Sequence, residues 1–400
     1  MTKVLFISAW YPHRNDVMSG LFVRKHAEAV AIYANVAALY VVVDKNINRA
    51  EITTNTDKNI TEIIVYFPAS HRKYFRRTAV FMNFAKAYLK GFQLLHRVWG
   101  KPDILQANVF TRTAVVAYIY KLLYRKPYVV IEHWTRYFRT KTFDNYFHKL
   151  ISQLVARKAA AVMPVTAHLQ SNMMRHGMQN SNYIVVNNVV DDFFFAEKAI
   201  TKSDKKILLN VSCFDDEQKN LSGLLHVVDK IYKTRQDFVL YLVGTGTDFD
   251  LIQGKAAEKE LLNTAVVFTG MLQGENLADL FMKSDFTVMF SNYENIPVVI
   301  SESLVCGKPV ISSNVGGISE HIDDGNGILV ERNDEKALTS AMLWMLDHYE
   351  TYDSASIAKQ AKDKYSFHAV GQHLYSIYKE VLSESSLNRK QVTGKKHSSL

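Results

Sequence analysis

The sequence predicts an α/β chain with two parallel sheets, each flanked by helices, and three observations lead there. Short β-branched and aromatic runs alternate with helix-length amphipathic segments along most of the chain. That alternation starts twice, at 3–9 and again at 206–211, with a charged stretch, AEKAITKSDK at 196–205, between the two starts. Finally, 400 residues suit two or three domains, each long enough for a sizeable core.

Taken in order, KVLFISA at 3–9 reads as a strand, followed by a loop holding Gly20 and a helix over about 22–32. The apolar run 29–43 contains Asn35 and reads as the end of that helix plus a strand at 36–43, not as a membrane span. DILQA, YVVIEHW and AAVMPV supply further strands in the first half, and FVLYLVG, AVVFTG, FTVMF and PVISS in the second. The expected division is a first domain over 1–195 and a second over 203–365. Residues 386–400 read as a disordered basic tail. Open parallel sheets bind ligands at the carboxyl ends of their strands. The polar loops found here follow strands, so the two sheets are expected to face each other across a cleft.

Composition narrows the class. At 48% hydrophobic and 22% charged the chain is an ordinary globular one, which excludes disordered and collagen-like classes. Two cysteines, Cys213 and Cys306, make a disulfide framework improbable on count alone and fit a reducing compartment. With no spanning run and no secretion signal in KVLFISAWYP, the expected location is the cytoplasm, peripheral to the inner face of a membrane if anchored at all. Charge is uneven: residues 1–200 carry 27 Lys/Arg against 12 Asp/Glu, and 201–400 carry 21 against 27. The first half is therefore the one suited to an anionic partner. Its segment 71–101 has eight Lys/Arg, no acid and several aromatics, and reads either as a solvated helix face or as a surface helix on an anionic leaflet. No nucleic-acid readout module is present.

The most informative stretch is SDFTVMFSNYENIPVVISESLVCGKPVISSNVGG. A buried strand at 286–290 runs into a polar loop holding Glu294. Pro297 suits the first turn of a helix, which Gly307 and Pro309 would stop near Cys306. Glu302 then lies about a turn and a half into that helix. Between the two acids the helix N-terminus presents backbone N–H groups that attract anions.

On this strand, loop and helix with its E-x7-E pair and GKP, together with SGLFVRKHAEAVA, PDILQAN, YVVIEHWT, VMPVTAHLQ, YIVVNNVVD, LYLVGTG and VVFTGML, the chain resembles glycosyltransferase family 4 (group 1), retaining enzymes of the GT-B fold with two Rossmann-like domains. The resemblance implies transfer of a sugar from a nucleoside diphosphate sugar to a hydroxyl of a glycan or lipid-linked acceptor, as in cell-surface polysaccharide synthesis, with no metal or cofactor. It alone assigns a helix at about 366–385, in YSFHAVGQHLYSIYKEVL, to the first domain, since the family's terminal helices cross back to it. It also implies roles for particular residues. Glu302 would hold the donor ribose and Glu294 would sit beside the transferred sugar. Backbone N–H groups of Asn295, Ile296, Pro297 and Val298 would line sugar and phosphate, of which Pro297 has no N–H to give. Lys219 would neutralise the pyrophosphate, Gly20 would let the backbone approach it, His133 would lie by the sugar and Met271 by the base. The catalytic set is thus Glu294, Lys219 and His133.

Chemistry supports such a set, because breaking a sugar–phosphate bond places charge on the departing phosphate, and fixed donors and a cation stabilise it. The chain departs from the family in three places: Cys213 stands where an Arg is common, VNNVVD replaces a Pro-Asn-Gly turn, and Ser19 precedes Gly20 in place of a second glycine. Plainer readings stand beside these: Lys219 as a helix-entry lysine, His133 as a core histidine, the two acids as solvated. Gly244 and Gly246 read as a tight turn, and Asp248 and Asp250 as helix capping. Other functions on the same fold are a sugar-nucleotide epimerase or phosphorylase, or a non-catalytic nucleotide-sugar-binding subunit.

Overall fold

The computed structural model describes residues 1–69, 76–110, 112–138, 146–195, 203–295 and 297–397. The chain forms two compact units. The first contains Met1–Val165 and Gln170–Val189 together with the last helix, and the second contains Thr166–Leu169 and Val190–Ser366.

The first unit is built on strands β1 (Lys3–Ser8), β2 (Asn35–Asp44), β3 (Glu51–Asp57), β4 (Ile60–Pro68), β5 (Ile104–Asn108), β6 (Tyr128–Glu132) and β7 (Ala161–Pro164). They form one sheet in the order β3-β4-β2-β1-β5-β6-β7, parallel except for the β3–β4 hairpin. Lys58 and Asn59, at φ 48° and 63°, make the two-residue turn of that hairpin, where both central residues need positive φ. The helices are α1 (Leu21–Ala31), α2 (Arg76–Val98), α3 (Arg112–Tyr124), α4 (Tyr146–Lys158) and, from Gln170 onward, α5 (Ala167–Arg175).

The second unit holds β8 (Lys206–Val211), β9 (Phe238–Val243), β10 (Val266–Gly270), β11 (Phe286–Met289), β12 (Val310–Ser313) and β13 (Gly327–Val330), all parallel, in the order β10-β9-β8-β11-β12-β13. Its helices are α6 (Asp216–Lys219), α7 (Leu221–Tyr232), α8 (Phe249–Glu258), α9 (Gly274–Lys283), α10 (Val298–Val305), α11 (Glu335–His348) and α12 (Ser354–Tyr365). One buried cluster gathers Leu224, Val228 and Met342 under α7 and α11, and another gathers Ile300, Leu304 and Phe281 under α9 and α10. Both units are therefore Rossmann-like α/β folds.

The last helix, α13 (Phe367–His397), belongs to the first unit and packs on α1. A Cβ at Gly371 would stand 2.1 Å from the Ala29 carbonyl oxygen, and the Tyr378 hydroxyl donates to Gln106 Oε1. The return expected at 366–385 thus starts at Phe367. The tail expected as disordered from 386 continues this helix to His397, since no proline interrupts 386–397 and Leu387, Lys390 and Gln391 are good helix formers.

The expected first-domain boundary at 195 differs from the observed one at Val189. Phe194 is 2% exposed, with its ring 5.7 Å from Phe281, so the segment after Val189 is buried in the second core. Residues 196–202 of the expected linker lie outside the described residues, as do 71–75 of the basic segment.

Candidate active site

The loop between β8 and α7 decides where Lys219 points. Asp215 caps α6 by accepting from the Gln218 N–H at 3.1 Å. Asn220, left-handed at φ 49°, ends α6 and caps α7 by accepting from the Gly223 N–H at 3.2 Å. Asparagine tolerates that conformation better than most residues. The short α6 is also tied to the loop after β11, where the Asn292 N–H donates to the Gln218 carbonyl at 2.7 Å and Asn292 Nδ2 to the Glu217 carbonyl at 2.8 Å. Lys219 is left 9% exposed, and its Nζ donates to Glu294 Oε1. The structure therefore brings two expected site residues, 75 positions apart, into one buried ion pair.

Glu294 is itself held from behind. Gly316, at φ 64°, lies so close to the Glu294 carbonyl that a Cβ there would be 1.8 Å from its oxygen. The Gly317 N–H donates to the Asn295 carbonyl at 2.9 Å, and a Cβ on Gly317 would meet Thr166 Cγ2 at 2.4 Å. Thr166 Oγ1 donates to Asn295 Oδ1 at 3.1 Å. Gly316, Gly317 and Thr166 thus shape this loop, and sequence reasoning gave them no role. The NVGG turn was the available signal, because paired glycines mark close backbone approach.

Pro297, extended at φ −72° and ψ 126°, opens α10, which runs to Val305, and Gly307 at φ 71° lies just beyond its end. The Pro297 carbonyl accepts from the Ile300 N–H at 3.1 Å, and Val298 is the first helical residue. Glu302 lies in the second turn and is 9% exposed. Glu294, Asn295, Pro297 and Val298 lead into this helix start and Glu302 follows one turn on, whereas Ile296 lies outside the described residues. Met271 follows Gly270 at the carboxyl end of β10 and is exposed, with Gln273 Nε2 3.1 Å from its sulfur.

The two expected residues of the first unit have different surroundings. Gly20, at φ 61°, precedes α1, and a Cβ there would stand 2.2 Å from the Trp10 carbonyl oxygen. That close approach requires glycine for packing alone. His133 follows β6 and is half-buried, with its ring 4.3 Å from Phe22 and 5.5 Å from His26. Burial, and then the neighbouring His26, hold its pKa well below the usual histidine value, which favours the neutral ring.

Glu132, the last residue of β6, is completely buried. Its Oε1 accepts from the His133 and Trp134 N–H groups at 2.9 Å each, and Oε2 accepts from the Phe110 N–H at 3.0 Å. Burial pushes this carboxyl up to about 7, against the opposing pull of those three hydrogen bonds. The visible signal was an acid closing an otherwise apolar strand, YVVIE.

The remaining motifs are structural. Gly244 and Gly246 turn closely over the β8–α6 loop, with a Cβ on either falling within 2.5 Å of the Ser212 or Phe214 carbonyl oxygen. Asp248 makes no side-chain cap for its own helix. It accepts instead from the Asp216 N–H at 2.7 Å and so caps α6, the helix that carries Lys219. The capping expectation is corrected to this neighbouring helix because the folded loop lies closer to the carboxylate than α8 does. Cys213 is exposed, and Cys306 is buried, its thiol pushed up to about 12 by burial. Among the described residues no helix is long and apolar enough to cross a membrane.

Residues 191–364 match the family model for "Glycosyl transferases group 1". An N-acetyl-alpha-D-glucosaminyl L-malate synthase of Bacillus anthracis is 29% identical over 182 residues, covering 43% of this chain and 46% of that protein. An alpha-D-kanosaminyltransferase of Streptomyces kanamyceticus is 24% identical over 291 residues, covering 67% of this chain and 74% of that protein. The chain spans about half the length of the first curated relatives it matches, with shares of 57%, 46% and 46%. Among solved structures, Anabaena Alr3699/HepE in complex with UDP has a TM-score of 0.71 at 16% identity, covering 95% of this chain and 100% of that one. The second unit thus matches the glycosyl transferases group 1 family over residues 191–364, and the whole chain shares the two-unit GT-B fold of solved glycosyltransferases.

Proposed function

We propose that the chain is a retaining glycosyltransferase that moves a sugar from a nucleoside diphosphate sugar to a hydroxyl of a glycan or lipid-linked acceptor in cell-surface polysaccharide synthesis. The observation that carries this reading is the Lys219–Glu294 pair, buried in the second unit next to the start of α10. A buried lysine partnered by one carboxylate keeps further donor N–H groups for a second anion. Diphosphate oxygens would share the ammonium, and N–H groups at the start of α10 would receive the phosphate beside it. As the sugar–phosphate bond breaks, both would stabilise the charge gathering on the departing diphosphate. Glu294 and Asn295, locked by Gly316, Gly317 and Thr166, would hold the sugar, and Glu302 the ribose.

Support for a uridine-type donor comes from Alr3699/HepE, whose structure is described with UDP. A thermal-shift panel of UDP-, GDP- and ADP-sugars tests the donor. A ligand at about 100 times its Kd adds roughly 2.7 kcal/mol of stability. The matching donor is expected to raise Tm, and its nucleotide alone to do so as well. NMR of the product with an accepted acceptor should show the donor's anomeric configuration. An inverted product removes the retaining part, and no shift with any nucleotide removes the whole reading.

A further inference from the structure

Three neighbouring helices of the first unit each leave large apolar residues exposed beside the ones they bury. Helix α4 buries Ser152, Val155 and Ala156, while Tyr146 and Phe147 stand 70% and 71% exposed and Leu150, Ile151 and Leu154 are also exposed. Helix α3 buries Thr113, Ala114, Ala117 and Tyr120 and leaves Leu122 and Leu123 63% and 71% exposed. A helix at a wet surface normally keeps its outer face polar, so this second apolar face is unusual.

These helices form one layer. Lys121 Nζ of α3 donates to the carbonyl of Lys158 at the end of α4 at 2.7 Å. The Phe92 ring of α2 stacks 5.1 Å from Tyr120 of α3, and α2 adds exposed Phe81 and Leu89. Right-handed crossovers in this strand order put α2 and α3 on the sheet face opposite α1.

The charge of the layer is one-sided. Across α2, α3 and α4 the sequence has ten Lys/Arg and no Asp or Glu. Lys86, Lys90, Arg97, Arg157 and Lys158 are exposed among the apolar residues. The nearby Asp103 is occupied by Lys126 at 3.1 Å.

We infer that this layer is a docking surface for an anionic lipid bilayer, with Leu122, Leu123 and Phe147 entering the headgroup boundary and the basic side chains meeting lipid phosphates. This inference goes beyond the transfer reading and does not depend on it. It also enlarges the surface expected from 71–101 by adding the apolar faces of α3 and α4. A second copy is the poorer occupant. A two-fold contact through this face would set the same acid-free, basic patch against itself, and like charges would repel. An anionic interface satisfies both features together, because apolar insertion and lipid charge act in concert.

The test is sedimentation of the full chain with vesicles of phosphatidylglycerol and phosphatidylcholine, compared with vesicles of phosphatidylcholine alone. The chain is expected to pellet with the anionic vesicles, to remain in solution with the neutral ones, and to be released as salt is raised. Leu122→Ser combined with Leu123→Ser should weaken anionic binding about tenfold or more, and so should Phe147→Ser. Lys86→Glu with Lys90→Glu, which changes only exposed charge, should remove the preference for anionic lipid and decides the matter if the serine variants do not fold. Equal pelleting with both vesicle types overturns the inference. So does unchanged binding by folded serine variants, or a dimer in light scattering that those variants dissolve. Binding is read without donor or acceptor, so its failure is distinct from failure of the transfer reading.

Discussion

Each unit buries a carboxylate at or just beyond the carboxyl end of a strand, and the two units neutralise it by different means. After β11, Glu294 is paired with the ammonium of Lys219, which arrives from another loop. At the end of β6, Glu132 is cradled by the backbone N–H groups of Phe110, His133 and Trp134. A cradle of backbone groups is committed to loop shape, since nothing can take those donors without moving the chain. A lysine keeps donors to spare, so a second anion can share it. The contrast separates the candidate ligand site, where a donor is left to share, from a cradle whose donors are all taken up in holding the chain.

The largest expected effect lies on the ion pair. Lys219→Ala should lower the transfer rate by roughly a hundred- to a thousandfold, about 3 to 4 kcal/mol of transition-state stabilisation. It should also destabilise the fold by about 3 to 5 kcal/mol, because it strands a buried carboxylate. Lys219→Met with Glu294→Leu separates the two effects, recovering most of the melting temperature but none of the activity. If the double variant transfers sugar at half the native rate, the pair is only structural.

Next comes the support behind Glu294. Gly316→Ala places a Cβ 1.8 Å from the Glu294 carbonyl oxygen at a φ of 64°, so the loop must move. Strain of that kind costs about 1 to 3 kcal/mol. Activity should fall with it, and denaturant melts alongside initial rates will show whether the two losses go together. A variant with native stability and native rate would break the link between the NVGG turn and the site.

The first unit's cradle predicts a pH effect with a defined sign. Glu132 titrates at about 7 in the fold instead of 4.5, so between those values the folded chain holds a proton that the unfolded chain has lost. Stability contributed by this group therefore falls as pH rises through 4.5–7, by about 3 kcal/mol. His26, lowered by burial from 6.5 to about 4, has the opposite sign, its contribution rising through 4–6.5. The two largely offset each other in the native chain. Glu132→Gln removes one, and its melting temperature should rise more steeply between pH 4.5 and 6.5 than that of the native chain. Parallel profiles would show that Glu132 does not titrate in this range. The smallest expected effect is at Cys213, which is exposed and has no role in the pair, and Cys213→Ser should leave transfer within about twofold in a steady-state assay.

Much of the fold was legible locally. Strands such as FVLYLVG and FTVMF and helix α10 between Pro297 and Gly307 follow from period, proline and glycine, whereas the return of the last helix was expected from the family resemblance alone. The polar hairpin strand β3, whose residues are all exposed, carries no apolar signal and was not anticipated. Within the site, the types and chain positions of Glu294, Glu302 and Lys219 could be named from motif and resemblance. That Lys219 pairs with Glu294, that Gly316 backs the Glu294 carbonyl and that Asp248 caps α6 could not.

The sequence by itself thus determined the two parallel-sheet units and the helix start on which the candidate donor site rests, because hydrophobic period and turn chemistry act between residues a few positions apart. Only the tertiary structure decided which side chains share a partner. Lys219 and Glu294, or Thr166 and Asn295, lie 75 and 129 positions apart, and such contacts are set by how loops from separate strands pack together.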